Sequence, residues 1–130
     1  MRAAARRGLV ACAALLAFSC GGKNVGSGLP REAPLPSLTT EQMGVLCDWI
    51  NASFGGYGSI DNCDGGGSRH ADSNQQACIG GFGGAQSCPT LTVGALEDCI
   101  NATGGDMCRL ITEPKCVALE GCPAGDGGAD

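Results

Sequence analysis

Cysteine is the residue type through which this chain could do chemistry, because ten cysteines occur in 130 residues. Eight of them form one widely spaced series: Cys47, Cys63, Cys78, Cys88, Cys99, Cys108, Cys116 and Cys122. An even number of such cysteines in a short exported chain predicts a disulfide framework. We therefore predict that all eight are paired, while the sequence leaves open which of about one hundred possible pairings forms.

Metal binding is the alternative chemistry for these cysteines. Structural zinc sites use closely paired ligands such as Cys-x2-Cys, whereas the shortest spacing here is Cys116-x5-Cys122. The stretch Asp61-Asn62-Cys63-Asp64-Gly65 looks like a calcium loop, but a cysteine stands where an oxygen ligand is needed. We therefore predict no metal site and no cofactor, and interpret this stretch as an acidic turn around a disulfide.

The only histidine, His70, lies between Ser68 and Asp72, and these three residue types could form a catalytic triad. Close neighbours on one polar loop cannot easily place a nucleophile, a base and an orienting carboxylate in line. A Cys-x-x-Cys redox motif does not occur in the sequence either. The sequence therefore predicts an exposed histidine and a protein that is not an enzyme.

Residues 1–20 have the three-part build of an export signal. Three arginines precede an apolar run that is too short to span a bilayer, and Ser19-Cys20 ends the segment. The run Leu16-Ala17-Phe18-Ser19-Cys20 resembles a bacterial lipobox, which implies lipidation of Cys20. Ordinary signal cleavage nearby is the alternative, and in both cases Cys12 is discarded with the signal.

Gly21 follows the proposed lipidated cysteine, which resembles the sorting rule for outer-membrane lipoproteins of Gram-negative bacteria. We therefore expect a cell-envelope location, with secretion as the alternative. The net charge is −5 for the whole chain and −8 without the three signal arginines, since five basic residues then remain against thirteen acidic ones. Such a surface repels nucleic acid. The expected partners are the membrane, through the lipid, and an unknown envelope protein or glycan.

The chain after the signal divides into three parts by composition. Residues 21–38 are rich in glycine and proline and are expected to form a flexible tether. Residues 39–122 are expected to form the disulfide domain, and residues 123–130 an acidic flexible tail. From position 40 to position 122 only 15 residues are Leu, Ile, Val or Phe, so oxidation is expected to be the condition for folding.

Four helices are predicted in this domain. Thr39 and Gln42 form a capping-box pattern before a helical stripe that ends at Gly55-Gly56, and Cys47 lies on its inner face. Thr92 and Gly104 bound a second helix with Cys99 facing inward. A third helix is expected over Asp72 to Ile79, and a fourth from Pro114 to about Gly121.

Glycine-rich stretches separate these helices. They are Gly55-Gly56-Tyr57-Gly58, Gly65-Gly66-Gly67 and Gly80-Gly81-Phe82-Gly83-Gly84, and we interpret all three as loops. The aromatic rings Tyr57 and Phe82 are therefore candidate partner contacts, because exposed aromatic side chains dominate binding energy. The alternative is that both rings cap a small core.

A resemblance to a known group of proteins rests on several short motifs. They are Leu46-Cys47-Asp48-Trp49, Gly55-Gly56-Tyr57-Gly58, Cys63, Thr92-Val93-Gly94, Glu97-Asp98-Cys99, Cys108, Pro114-Lys115-Cys116 and Cys122. In these the chain resembles short cysteine-rich lipoproteins of myxobacterial type. That group has no assigned activity, so the resemblance implies a location and a disulfide domain but no mechanism.

We therefore predict a small disulfide-rich, mainly α-helical domain with Gly-rich loops, anchored at the cell envelope as a structural or binding module. The alternative is a released disulfide-rich effector, such as a hydrolase inhibitor or a peptide signal.

Overall fold

The computed structural model describes residues 26–82 and 88–120, in which most helices begin and end close to their sequence signals. Among these residues the α-helices are α1 (Thr40–Ser53), α2 (Gln75–Gly81), α3 (Val93–Thr103) and α4 (Val117–Glu120). The strands β1 (Ile60–Asn62) and β2 (Ser68–His70) form an antiparallel hairpin between α1 and α2. Short 3-10 helices occupy Leu35–Ser37, Met107–Ile111 and Pro114–Cys116. The predicted small helical domain is thus confirmed.

The two strongest helix predictions are confirmed by their caps. Thr39 and Gln42 form the predicted capping box, each side chain accepting a hydrogen bond from the other residue's backbone N–H. Thr92 caps α3 by accepting a hydrogen bond from a backbone N–H in its first turn. Gly104 ends α3 at a φ of +67°, a left-handed conformation that favours glycine. Both helices are therefore specified by local chemistry.

The two weaker helix predictions need correction. The third helix begins at Gln75 rather than Asp72, because Asn74 is extended and its side chain caps the first turn. It also continues through Gly80 and Gly81, which were predicted to lie in a loop. The fourth predicted helix is a 3-10 turn starting at Pro114 that leads directly into α4.

Three disulfides join these elements within the described residues. Cys47–Cys78 links α1 to α2, Cys99–Cys116 links α3 to the turn before α4, and Cys63–Cys108 links the hairpin to the 3-10 helix Met107–Ile111. The prediction of a disulfide framework is confirmed in these pairs. Cys88 is disulfide-bonded as well, while Cys122 lies outside the described residues.

The core lies between α1 and α3. Cys47 and Cys99 have no exposed surface, as their inward placement predicted, and Leu46 and Val93 are equally buried. The remaining side chains of the core cluster are Leu35, Leu38, Met43, Trp49, Phe54, Cys88, Leu91, Leu96, Ile100 and Met107. No helix in residues 26–82 and 88–120 is long and apolar enough to cross a membrane.

The segment 26–38, which was predicted to belong to a tether over residues 21–38, packs on the domain instead. Leu35 and Leu38 are core residues, and the backbone N–H of Leu35 donates to the carbonyl of Leu91 at 2.8 Å. Pro34 and Leu38, which flank the 3-10 helix Leu35–Ser37, are both extended. The domain therefore begins by residue 26 rather than residue 39. Residues 21–25 and the predicted tail at 123–130 lie outside the described residues.

Candidate functional site

The N-terminal segment is fastened to α3 by a group of polar contacts that we call the N-terminal clasp, formed by Ser27, Arg31, Gly94 and Glu97. The Glu97 side chain is only 2% exposed. Its carboxylate accepts hydrogen bonds from the backbone N–H and the hydroxyl of Ser27, at 2.6 and 2.8 Å. It also accepts one from the Arg31 guanidinium at 2.9 Å. A buried carboxylate that accepts three hydrogen bonds attaches this segment strongly to α3.

Gly94 and Asp98 complete this contact from the first half of α3. The backbone N–H of Gly94 donates to the Arg31 carbonyl at 2.7 Å, and a Cβ at Gly94 would lie only 2.9 Å from that oxygen. Only glycine therefore permits this close approach. The Arg31 guanidinium also donates to Asp98 at 2.7 Å, and this bond, together with the charge of Asp98, raises the pKa of Arg31.

Tyr57, one of the two predicted partner contacts, is 36% exposed. Its hydroxyl donates to the Asp48 carboxylate at 2.7 Å, and Gln75 donates to the other oxygen of that carboxylate at 2.9 Å. Burial, the hydrogen bond to Asp48 and the nearby carboxylates raise the pKa of Tyr57 to about 12. Tyr57 thus connects the glycine-rich turn to α1 and remains partly exposed to solvent.

Phe82, the other predicted contact, is half-buried and packs against the core cluster. It also lines a shallow cavity of about 300 Å³ with Ile50, Asp72, Cys78 and Gly81. The two rings therefore have different surroundings. Phe82 belongs mainly to the core, while Tyr57 is held at the surface by its hydroxyl.

A larger concavity, the hairpin cavity, lies between the β1–β2 hairpin and the 3-10 helix Met107–Ile111. Its volume is about 590 Å³, within the range of about 300 to 1,000 Å³ that is typical of ligand sites. It is lined by Asn62, Cys63, Asp64, Gly66, Gly67, Ser68, Arg69, Asp106, Cys108, Arg109, Ile111 and Thr112. Most of these side chains are polar, so the cavity suits a hydrophilic ligand.

Two of the four charged groups that line the hairpin cavity are already bonded within the protein. Arg109 donates to the Glu113 carboxylate at 3.0 Å and to the Thr103 carbonyl at 3.3 Å. Asp106 accepts from the backbone N–H of Cys108 at 2.8 Å. The side chains of Arg69 and Asp64 make no hydrogen bond or ion pair with any residue that the structure describes. One cation and one anion therefore remain available in the same cavity.

The triad residue types are only partly brought together. The Ser68 hydroxyl lies 3.0 Å from Nε2 of His70, and both residues are exposed on β2. Among the described contacts of His70 no carboxylate orients the ring. The arrangement lacks the third member of a triad, and the prediction that the protein is not an enzyme stays a prediction.

The stretch Asp61 to Gly65 was predicted to be an acidic turn around a disulfide, but Asp61 and Asn62 end β1 and the chain turns only at Asp64 and Gly65. Cys63 forms its disulfide there, and the Asp61 carboxylate accepts a hydrogen bond from the backbone N–H of Met107 at 2.8 Å. Asp61 therefore fixes the hairpin against the 3-10 helix. Within the part of the chain that the structure describes, no group of three or more His, Cys, Asp or Glu side chains could hold a metal ion.

Sequence reasoning did not single out the clasp or the hairpin cavity. Glu97 and Ser27 are 70 positions apart, so no local pattern connects them. In the sequence, Arg69 is next to His70, which was considered for a triad, and Asp64 belongs to the stretch considered for calcium. Only the folded hairpin brings Arg69 and Asp64 to one cavity. Cys20, the predicted lipidation site, lies outside the described residues.

No known protein family, curated protein or solved structure matches this chain.

Proposed function

We propose that this chain is an exported cell-envelope lipoprotein, anchored by a lipid on Cys20, whose disulfide domain is a binding module that uses the hairpin cavity. The observation that carries this proposal is the placement of the N-terminal clasp and the hairpin cavity along α3. Gly94 and Glu97 of the clasp lie in the first half of the helix. The hairpin cavity is lined by residues that follow its last turn, beginning with Asp106.

This placement separates the anchored end of the domain from the cavity. At 1.5 Å per residue, Gly94 and Glu97 lie about 14 and 9 Å from the end of α3 at Thr103, so the helix sets a spacing of about 10 Å or more between the two. Only residues 21–25 lie between the proposed anchor and the packed segment, and this stretch reaches about 20 Å when fully extended. The domain would thus stay close to the bilayer, with the cavity at the far end of α3 available to a partner.

The disulfides support an oxidising compartment, which is the environment of the envelope. The resemblance to short cysteine-rich lipoproteins agrees with the same location. Arg69 and Asp64 support the binding role, because an unpaired cation and anion in one polar cavity can orient a ligand that carries both charges. The partner in this proposal is an envelope protein or glycan.

The anchor is tested by replacing Cys20 with Ala and fractionating the cells. We expect the wild type in the membrane fraction with a lipid-shifted mass, and the Cys20→Ala variant without lipid and outside that fraction. Cys12→Ala is the matched control, since Leu9-Val10-Ala11-Cys12 also resembles a lipobox but lies within the predicted signal, and it should behave as wild type. Wild-type protein recovered from the culture medium would instead support the released effector.

The binding module is tested by cross-linking in intact envelopes with three variants of the domain. Arg69→Gln and Asp64→Asn should each weaken a cross-link that the wild type forms. Lys115→Gln is the control, because Lys115 is an exposed cation that does not line the hairpin cavity. A cross-link that survives both cavity substitutions would contradict the use of this cavity.

A further inference from the structure

The disulfide Cys63–Cys108 differs from the other two described disulfides in its access to solvent. Cys47, Cys78, Cys99 and Cys116, which form the other two described pairs, are between 0 and 4% exposed. Cys63 and Cys108 are only half-buried, and neither belongs to the core cluster. Since thiol–disulfide exchange requires that the attacking sulfur reach the bond, the two buried pairs are protected and this pair is not.

The hairpin cavity provides the route to this bond. Both Cys63 and Cys108 line the cavity, beside the unpaired side chains Arg69 and Asp64. A small thiol can therefore enter the cavity and meet the disulfide without any opening of the core. Its volume of about 590 Å³ is sufficient for a molecule of the size of a tripeptide.

The charges in the cavity indicate which thiol would fit. Arg69 can bind a carboxylate and Asp64 can bind an ammonium group, and neither is used by a described residue. Arg109 and Asp106 also line the cavity, but each is already bonded to the protein. A thiol with both a carboxylate and an ammonium group, such as cysteine or a short cysteine-containing peptide, therefore matches the cavity better than an uncharged thiol.

We propose that the hairpin cavity is a site of thiol–disulfide exchange, in which Cys63–Cys108 reacts with a small thiol that carries a carboxylate and an ammonium group. The thiolate of the small molecule attacks one Sγ atom, a new S–S bond forms there, and the Cys63–Cys108 bond breaks. The other Sγ leaves as a thiolate and takes up a proton. One disulfide is consumed and one is formed, so no further oxidant or reductant is needed.

This exchange would release the hairpin while leaving the core intact. All three residues of β2 are exposed, and the hairpin contributes few buried apolar side chains. Its other described fastening to the 3-10 helix is the hydrogen bond from Met107 to Asp61. The inference is independent of the lipid on Cys20, so the anchor proposal and this proposal can fail separately.

The test uses the oxidised protein and reduced glutathione, followed by alkylation of free thiols and peptide mass mapping. The expected early product carries one glutathione and one alkyl group, both on the pair Cys63 and Cys108. Trp49, the only tryptophan and a buried one, should keep its fluorescence during this reaction. Labelling of Cys47 or Cys99 at the same rate, or labelling only with loss of the Trp49 signal, would overturn the proposal.

A second measurement tests the recognition of the thiol. Arg69→Gln should lower the rate with glutathione about two- to fivefold, as expected for an exposed ion pair, and leave the rate with 2-mercaptoethanol unchanged. Lys115→Gln should change neither rate. Equal effects on both thiols would refute the assigned thiol class. The double variant Cys63→Ser with Cys108→Ser should take up no glutathione, and if it does not fold, the Arg69→Gln comparison decides.

Discussion

The N-terminal clasp allows a direct comparison of a buried and an exposed ion pair that share one arginine. Arg31 donates to Glu97 at 2.9 Å and to Asp98 at 2.7 Å. The Glu97 side chain is 2% exposed, while that of Asp98 is 53% exposed. The distances are similar, so the two pairs differ in their access to water and in the two Ser27 donors that only Glu97 binds. We predict that Glu97→Gln destabilises the domain much more than Asp98→Asn.

The magnitude follows from the contacts that each substitution disrupts. In Glu97→Gln the new amide nitrogen must face either Arg31 or the two Ser27 donors, so at least one buried hydrogen bond to a charged group is lost. Such bonds contribute about 1.5 to 3 kcal/mol each, and we expect a loss of about 2 to 3 kcal/mol. Asp98→Asn retains an acceptor for Arg31 and removes only an exposed charge, so its loss should stay below about 1 kcal/mol.

The assay is urea unfolding followed by Trp49 fluorescence, with the melting temperature as a second measure. For a domain of this size, 1 kcal/mol corresponds to about 4 to 8 °C. Glu97→Gln should therefore lower the melting temperature by about 10 to 20 °C. At about 1 M salt, where the screening length is about 3 Å, the effect of Asp98→Asn should vanish and that of Glu97→Gln should persist.

Two results would refute this reasoning. Equal losses for Glu97→Gln and Asp98→Asn would mean that burial of Glu97 does not govern the strength of the clasp. A loss below about 0.5 kcal/mol for Glu97→Gln would mean that the N-terminal segment contributes little to the folded domain. Limited proteolysis supplies an independent check, because cleavage within residues 26–38 should accelerate in Glu97→Gln alone.

Three further predictions concern single features of the domain. Absorbance titration of Tyr57, the only tyrosine, should give a pKa of about 12 in the folded protein. In the unfolded chain its pKa is about 10, so between pH 10 and 12 the unfolded state loses the Tyr57 proton more readily than the folded state does. The stability that protonated Tyr57 provides should therefore be complete below pH 10 and decline as the pH rises toward 12, and Tyr57→Phe should lack this decline. Gly94→Ala should lower the free energy of unfolding by more than about 1 kcal/mol, because the new Cβ would contact a backbone carbonyl. Gly80→Ala, at a helical position with open space around it, should leave the free energy of unfolding unchanged or raise it. Intact-mass analysis should show four disulfides, and peptide mapping should find the fourth between Cys88 and Cys122. A free thiol at Cys88 would contradict this pairing.

Features that depend on neighbouring residues were predicted well from the sequence. The capping box at Thr39 and Gln42 and the glycine at position 104 lie within one turn of the helices that they bound. The inward placement of Cys47 and Cys99 followed from helical periodicity. The third helix was placed too early because the capping preference of Asn74 was not used.

Features that depend on distant residues were missed. Residues 26–38 have the composition of a linker, and their order comes from contacts with residues about 60 to 70 positions later, such as Glu97. No periodic pattern marks such a pairing in a single sequence. Tyr57 was weighed as a binding residue or a core residue, but its hydroxyl bonds to Asp48, a role that neither alternative contained.

The pairing pattern explains how so thin a core supports a folded domain. The bonds Cys47–Cys78, Cys63–Cys108 and Cys99–Cys116 close sequence separations of 31, 45 and 17 residues. In the chain-entropy model, each bond lowers the entropy of the unfolded chain and so adds about 3 to 4 kcal/mol to the free energy of unfolding.

Two of these bonds, Cys47–Cys78 and Cys99–Cys116, are buried between packed elements, while Cys63–Cys108 attaches a hairpin with little buried surface. Stability is therefore expected to be uneven across the domain, with the hairpin at the low end. The hairpin cavity lies where this hairpin is attached, so the exchange proposed there would change the exposed surface without unfolding α3, which holds the N-terminal segment.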